Sequence, residues 1–463
     1  MSSQAPAPRN AAPDPAIAVD PAALQAEIER VGTAIADARP GALTHPLRSA
    51  DKYAMRRITG DEELRAALFR LVDVTPACRS AEDIGAHLAS FAAEAKGSRP
   101  ASLAHALSDT RAGRVVLGRA VAAGVRHTAR RFIAGDGPRE AAGELARMWE
   151  AGIASSLDLL GEATVSPAEA DAYAARCLET IEQLTQLARG WPQRGALERD
   201  GAGALARANL SVKVSSLTAQ MRAAAPARGV ADAAGRLRPL LSAARDLGAH
   251  IHIDMESFDA LETTVELALA LLEEPAFHDG PSAGIVIQAY LRESPALVER
   301  VLSWAAATPR ATPVTVRLVK GAYWDHEVAE ARQHGWGVPV FTDKAECDRN
   351  FEALTRRLLD ARPLVRVAIA SHNLRSIAHA IAWNRLGAGR PEDLELQVLR
   401  GLGDDLAAAL ARSGARVRVY APVGDLVAGM AYLVRRLLEN TSNESFLLAE
   451  EEGVPLERLL APP

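Results

Sequence analysis

The sequence is poor in cysteine and aromatic residues, carries no excess of basic charge and contains no long hydrophobic run. The three cysteines among 463 residues, Cys78, Cys177 and Cys347, are odd in number and far apart. That excludes a disulfide scaffold and lacks the paired spacing of a zinc site or a redox motif, so a reducing, cytoplasmic setting is expected. A net charge of −5 gives no global basic field to attract DNA, RNA or anionic lipid, and a small-molecule partner is expected instead of nucleic acid. No apolar stretch reaches the roughly 18 residues that a membrane-spanning helix needs, and the N-terminal MSSQAPAPRNAAPDPA lacks the basic-then-apolar pattern of a secretion signal. Also missing are a GxGxxG after a strand, a P-loop and a GxSxG elbow, which removes the main support for dinucleotide-binding, nucleotide-triphosphatase and α/β-hydrolase readings.

What remains is an ordinary globular composition, 48% apolar and 24% charged, with Ala, Leu and Val filling the interior in place of aromatics. Residues 1–20, rich in Ala and Pro without apolar period, read as a disordered tail. From 21 to 149, PAALQAEIERVGTAIADA, DEELRAALFRLVDV, SAEDIGAHLASFAAEA and GRVVLGRAVAAGVRHTARRFI repeat apolar residues at three and four, which predicts an all-helical arm. The character then changes. Short apolar, β-branched runs, each followed by a helical stretch, recur as ASSLDLLG, LSVKVSS, HIHIDME, GIVIQAY, VTVRLVK, VRVAIASH, LELQVLRG and VRVYAPVG. Eight βα units predict a (βα)8 TIM barrel over about 150–447, followed by a tail over 448–463.

In such a barrel the chemistry sits at the C-terminal ends of the strands. The residues closing the runs are Asp158, Lys213, Asp254, Gln288, Arg317 with Lys320, His372, Gln397 and Tyr420, an unusually polar set taken together. RLVKGAYWD, residues 317 to 325, ends a strand in two cations and then a glycine that admits close approach of backbone, which suits an anion or an electron-rich ring. After the last strand, GMAYLVRRLLENTSNESF carries Arg435 and Arg436, with Glu439 at i+4 and i+3 from them. Two guanidiniums so oriented can clamp a carboxylate bidentately. HIHID puts His250 and His252 on one strand face with Asp254 and so raises a metal site. A metal-dependent hydrolase needs further ligands at other strand ends, however, and only His372 qualifies. Asp254 reads instead as a buried acid paired with a cation from a neighbouring strand, and no metal is expected.

Together these segments resemble bacterial proline dehydrogenase, the flavin-dependent proline-oxidising domain of bifunctional proline-utilisation flavoenzymes. The resemblance rests on SLDLLGEA, LSVKVSSL, HIDMESFDALE, IVIQAYLR, VRLVKGAYWDHE, ASHN, ELQVLRGLGD, VYAPVGD and YLVRRLLENTSNESF, in family order from about 150 to 447. It implies a distorted barrel holding FAD non-covalently and oxidising L-proline to Δ1-pyrroline-5-carboxylate by hydride transfer to flavin N5. It further implies that Asp254 and Arg317 form the catalytic pair, with Arg317 near N5. Arg435 and Arg436 bind the proline carboxylate, Lys213 adds positive charge beside it, Tyr420 and Tyr432 pack on the ring, and Glu439 orients the arginines. Met255, Gln288, Arg317, Lys320, Gly321, Ala322, Ser371, His372 and Gln397 fall on flavin-contact positions. Ser371 replaces the usual Thr, and Arg400 stands where relatives often have His.

The bifunctional relatives continue into an aldehyde dehydrogenase half, and some begin with a DNA-binding domain. Neither is recognisable in these 463 residues, so a single oxidation and no DNA binding are expected. A quinone is the expected electron acceptor, reached by peripheral contact at the inner membrane surface, and a separate pyrroline-5-carboxylate dehydrogenase would consume the product. Two other readings stand beside this one: a related flavin barrel acting on another cyclic amino acid such as hydroxyproline, and the metal-dependent hydrolase on His250, His252, Asp254 and His372.

Overall fold

The architecture was obtained as a computed structural model, which describes residues 19–39, 70–71, 74–94, 110–161, 163–308, 310–425, 429 and 453–463. Eight parallel strands close into a barrel: β1 (Ile153–Leu159), β2 (Asn209–Lys213), β3 (His250–Asp254), β4 (Ser282–Gln288), β5 (Thr315–Val319), β6 (Arg366–Ala370), β7 (Leu394–Leu399) and β8 (Arg416–Val423). Each strand pairs with its sequence neighbours, and β1 meets both β8 and β2 to close the ring. The (βα)8 expectation is therefore met.

Alternation along the strands explains what this barrel contains. In NLSVK, HIHID and RVRVY, every second residue is apolar and buried: Leu210 and Val212, Ile251 and Ile253, Val417 and Val419. Successive side chains on a strand point to opposite faces, so the polar residues between them share the other face. Bonds between strands that are not neighbours place that face inside the barrel. Arg317 on β5 reaches Asp254 on β3 and Ser211 on β2, and Tyr420 on β8 reaches Asp254. Barrels of this type usually fill their interior with branched aliphatic side chains. This one is lined with polar groups through its depth, and its apolar face is spent on the surrounding helices.

Those helices form where the sequence predicts. In the crossover α5 (Pro167–Arg189), Ser166 accepts from the Glu169 N–H while the Glu169 carboxylate accepts from Val165 N–H, a reciprocal cap on the first turn. The arm gives α1 (Pro21–Asp37), α2 (Ala81–Glu94), α3 (Arg111–Phe132) and α4 (Pro138–Glu150). DEELRAALFRLVDV falls almost wholly outside the described residues. Helix α1 is started by Asp20, whose carboxylate accepts from the N–H groups of Ala22 and Ala23, and it buries Ile28, Val31 and Ile35. That stripe lies against the barrel helix α11 (Leu374–Leu386). Further along the arm, Arg131 donates to the Gly401 carbonyl, and Glu144 on α4 pairs with Arg400 at 2.8 Å, so Arg400 is directed at the arm. The 453–463 segment docks through Leu460, whose carbonyl accepts from Arg375 and Gln25. Among the described residues, no helix is long and apolar enough to cross a membrane.

Candidate active site at the C-terminal end of the barrel

Asp254, the last residue of β3, is the hub. Its Oδ1 accepts from Arg317 Nη1 at 2.6 Å and its Oδ2 from the Tyr420 hydroxyl at 2.6 Å. The cation that pairs with Asp254 comes from β5, two strands away and not adjacent, and it reaches across the interior. Arg317 also donates to Ser211 Oγ at 3.2 Å, and its guanidinium lies 5.3 Å from the centre of the Tyr420 ring. With Asp254 and Arg317 both buried, taking the two charges out of water costs several kcal/mol per ion before their attraction returns it. Apolar side chains of like volume would serve stability as well, so the pair points to chemistry. Burial, with the negative charges of Asp158 and Asp254, raises the Tyr420 phenol well above its ordinary pKa, which keeps it a hydroxyl donor.

Beside this hub, Lys213 at the end of β2 bonds to Asp158 on β1. Burial disfavours the ammonium, but Asp158 and Asp254 outweigh it and hold the Lys213 pKa above the usual lysine value. Glu256, two residues beyond Asp254, accepts from both the N–H and the hydroxyl of Ser215 at 3.0 and 2.6 Å, and burial raises its pKa. Its backbone carbonyl takes the Gln288 amide N–H at 3.0 Å. Glu256 escaped the sequence reading, although it lies within the HIDMESFDALE segment.

The residues expected to meet a flavin lie on the same rim, except Gln397, which precedes the end of its strand by two residues. Gln288 closes β4, while Lys320, Gly321 and Ala322 follow β5, and Ser371 and His372 follow β6. Met255 is buried just after Asp254. Lys320 is anchored by Asp348 on α10 (Lys344–Asp360), which also holds Lys344 at 2.8 Å, and burial lowers the Lys320 pKa. Asp348 was not foreseen, since KAECDRN carries no motif. The hydroxyl of Ser371 accepts from Asn373 N–H at the start of α11, and His372 Nε2 accepts from Leu399 N–H at 2.9 Å. Gln397 sits lower and donates to Glu395. At this end of the barrel the buried Gln288 Oε1, Asp158 Oδ2 and Arg317 Nε find no hydrogen-bond partner among the described residues. Acceptors and a donor left over suit the alternating N–H and carbonyl edge of a flavin. The turn at Gly321 is equally bare, with φ of +132° and no room for a Cβ beside the Tyr290 ring. The residues present therefore fit the cofactor.

Tyr432, Arg435, Arg436 and Glu439 lie outside the described residues. The two strand histidines belong to the opposite end of the interior. His250 opens β3, and its Nε2 lies 3.1 Å from His252 Nδ1, while His252 Nε2 lies 3.2 Å from the Ile285 carbonyl. That carbonyl requires a donor, so the chain runs Nε2–H to acceptor through both neutral rings. Burial, reinforced by Arg418, pushes His250 down to about 3, and burial with Arg317 does the same in direction for His252. Among the described residues, no group of three or more His, Cys, Asp or Glu is disposed to hold a metal.

Comparison with known proteins agrees with the fold. The proline dehydrogenase family profile matches residues 141–449, and that of the proline utilization A N-terminal domain matches 25–132. The bifunctional protein PutA of Escherichia coli is 32% identical over 364 residues, covering 76% of this chain and 26% of its own length. Proline dehydrogenase 1 of Bacillus subtilis is 27% identical over 333 residues, 71% of this chain and 92% of its own. Among solved structures, proline utilization A from Bdellovibrio bacteriovorus, inactivated by N-propargylglycine, superposes with a TM-score of 0.83 at 35% identity, over 95% of this chain and 44% of that one. The present chain thus spans about a quarter of the PutA sequence it matches and under half of the solved one. With the profile running from the helix before β1 to beyond β8, the chain belongs to the proline dehydrogenase family.

Proposed function

We propose that this chain oxidises L-proline to Δ1-pyrroline-5-carboxylate with FAD held at the rim of the barrel. Met255, Gln288, Arg317, Lys320, Gly321, Ala322, Ser371, His372 and Gln397 would hold the cofactor. Bound FAD would supply the two-electron oxidant, accepting hydride at N5 from the carbon next to the proline nitrogen. The protein's part is position and charge. Asp254 and Tyr420 fix the Arg317 guanidinium in a buried setting, where a preorganised cation stabilises developing negative charge far more than in water. Lys213 stays an ammonium between Asp158 and Asp254 and draws in a carboxylate. Arg435 and Arg436, oriented by Glu439, would clamp that carboxylate, with Tyr420 and Tyr432 bracketing the ring, which makes this orientation catalysis. Electrons would leave to a quinone by peripheral membrane contact, and a separate pyrroline-5-carboxylate dehydrogenase would take the product.

The buried Asp254–Arg317–Tyr420 contact carries this reading, because burying that pair has no better account in stability. The test is spectral. Purified protein should be yellow or become so with FAD, and its flavin absorption should bleach under anaerobic L-proline. A colourless protein that cannot be reconstituted sinks the proposal, while bleaching by hydroxyproline and not by proline reassigns the substrate. Arg435→Ala and Arg436→Ala should mainly raise KM for proline, since each removes a charge-assisted carboxylate contact.

A further inference from the structure

At the N-terminal end of the barrel, opposite the rim, the interior holds a second cluster of charge that the proposed reaction does not use. Arg366 opens β6, Arg416 and Arg418 lie on β8, Glu395 is on β7, and Asp200 comes from the β1–β2 connection. All five are at least nine-tenths buried. Two pairs are bidentate: Arg366 to Asp200 at 2.8 and 3.1 Å, and Arg418 to Glu395 at 2.9 and 3.1 Å. Arg416 is left to share carboxylates already engaged, reaching Asp200 at 3.2 Å and standing 3.9 Å from Glu395. Three guanidiniums thus face two carboxylates. Arginine does not give up its proton in proteins, so one buried positive charge is uncompensated among these groups.

The other groups there do not supply the missing negative charge. His250 and His252 are neutral, and their ring nitrogens are committed to Ser282, each other and Ile285. Asn209 accepts the Ser156 hydroxyl on its carbonyl oxygen and has N–H donors to offer. Arg366 Nη1 and Arg416 Nε have no hydrogen-bond partner among the described residues. These side chains, with Asn209, His250, Thr315 and Glu395, line a cavity of about 20 Å³. About 10–15 Å³ on this measure accepts a single water, so there is room for a monatomic ion and none for phosphate or an organic acid.

We infer that the floor of the barrel binds one monovalent inorganic anion of chloride size between Arg366 and Arg416. The anion neutralises the odd guanidinium. It lies below the rim, joined to the proposed flavin residues through Gln397, which lines the same cavity and donates to Glu395.

The test uses the full chain with its flavin. Thermal unfolding is followed in sodium chloride, sodium bromide and sodium methanesulfonate at equal ionic strength, the last anion being too large for the cavity. Chloride and bromide should raise the midpoint saturably, by roughly 3 °C at a hundredfold excess over the dissociation constant, and methanesulfonate should not. Arg416→Gln, which removes the odd charge, should abolish that difference, whereas Arg238→Gln, at an exposed pair with Glu274, should keep it. If Arg416→Gln does not fold, crystals of the unaltered protein grown in bromide decide. An anomalous peak within hydrogen-bond reach of Arg366 or Arg416 supports the site. A water alone at that position, identical midpoints in the three salts, or an anion effect retained in Arg416→Gln would overturn it.

Discussion

Tyr420 and Asp254 meet across the barrel, from strands separated by two others, through a hydroxyl donated to Oδ2 at 2.6 Å. The bond leaves Oδ1 to Arg317 and so sets the plane of the carboxylate that holds the guanidinium. Tyr420→Phe keeps the ring beneath Arg317 and removes only this donor. A hydrogen bond to a charged group contributes about 1.5–3 kcal/mol. The rate of flavin reduction at saturating proline should therefore fall by roughly 10- to 100-fold if the bond matters most as charge grows. A change confined to KM would assign the tyrosine to substrate packing alone.

Replacing Asp254 separates stability from chemistry. Asp254→Ala strands the buried Arg317, and breaking such a pair from one side costs about 3–5 kcal/mol. Asp254→Asn keeps an acceptor for Arg317 and should cost less, while still removing the charge. Urea midpoints should rank wild type above Asn above Ala, with proline oxidation low in both variants. Equal stability of all three would mean that the interior accommodates an unpaired guanidinium.

Acid should weaken the fold in a definite window. His250 and His379 are held at about 3 by burial against an ordinary value of 6.5, aided by Arg418 for the first and Arg356 for the second, and His252 is depressed in the same direction by burial and Arg317. Their native pKa values are depressed, so above pH 6.5 neither state binds the proton and nothing is lost. As pH falls below 6.5 the unfolded chain takes up protons that the native chain refuses, and stability drops by about 1.4 kcal/mol per pH unit for each histidine until pH nears 3. Glu395, held low by Arg418 and Arg416 despite burial, adds to the loss only below about 4.5. Glu256, with its pKa raised, opposes it near there. Urea titrations from pH 7.5 to 5.0 should show this slope, and His379→Gln should flatten it by one proton.

The rim of this barrel was legible in the sequence because strand ends are local. Lys213, Asp254, Gln288 and Tyr420 each close an apolar run, and the closed barrel gathers them. The pairing was less so: Asp254 could be expected to find a cation, but only the closed ring shows that it comes from β5 across the interior. Arg366, Glu395, Arg416 and Arg418 were passed over because apolar neighbours in RVAIA, LELQVL and RVRVY disguise them as ordinary strand residues. Their inward direction follows from strict alternation, a signal that was available once the helices were known to cover the other face. Asp348 had no such signal. It anchors Lys320 from a helix turn distant in sequence, and only tertiary packing brings the two together.

The turn after β5 offers the sharpest test of where the cofactor sits. Gly321 has a φ of +132°, which side-chain-bearing residues rarely adopt, and a Cβ there would run into the Tyr290 ring. Tyr290 is buried, and its backbone N–H donates to the Lys320 carbonyl at 2.7 Å and so ties it to the same turn. Gly321→Ala must then either distort the turn or push the ring, at a cost of about 1–3 kcal/mol. If this turn carries the flavin, that distortion should weaken FAD binding by roughly tenfold or more, which corresponds to 1.4 kcal/mol. The ratio of flavin to protein absorbance after gel filtration measures it. Gly337→Ala is the control, because nothing lies within 4 Å of a Cβ built there. Loss of flavin from the first variant and not the second ties the cofactor to the turn, whereas full flavin in both places it elsewhere on the rim.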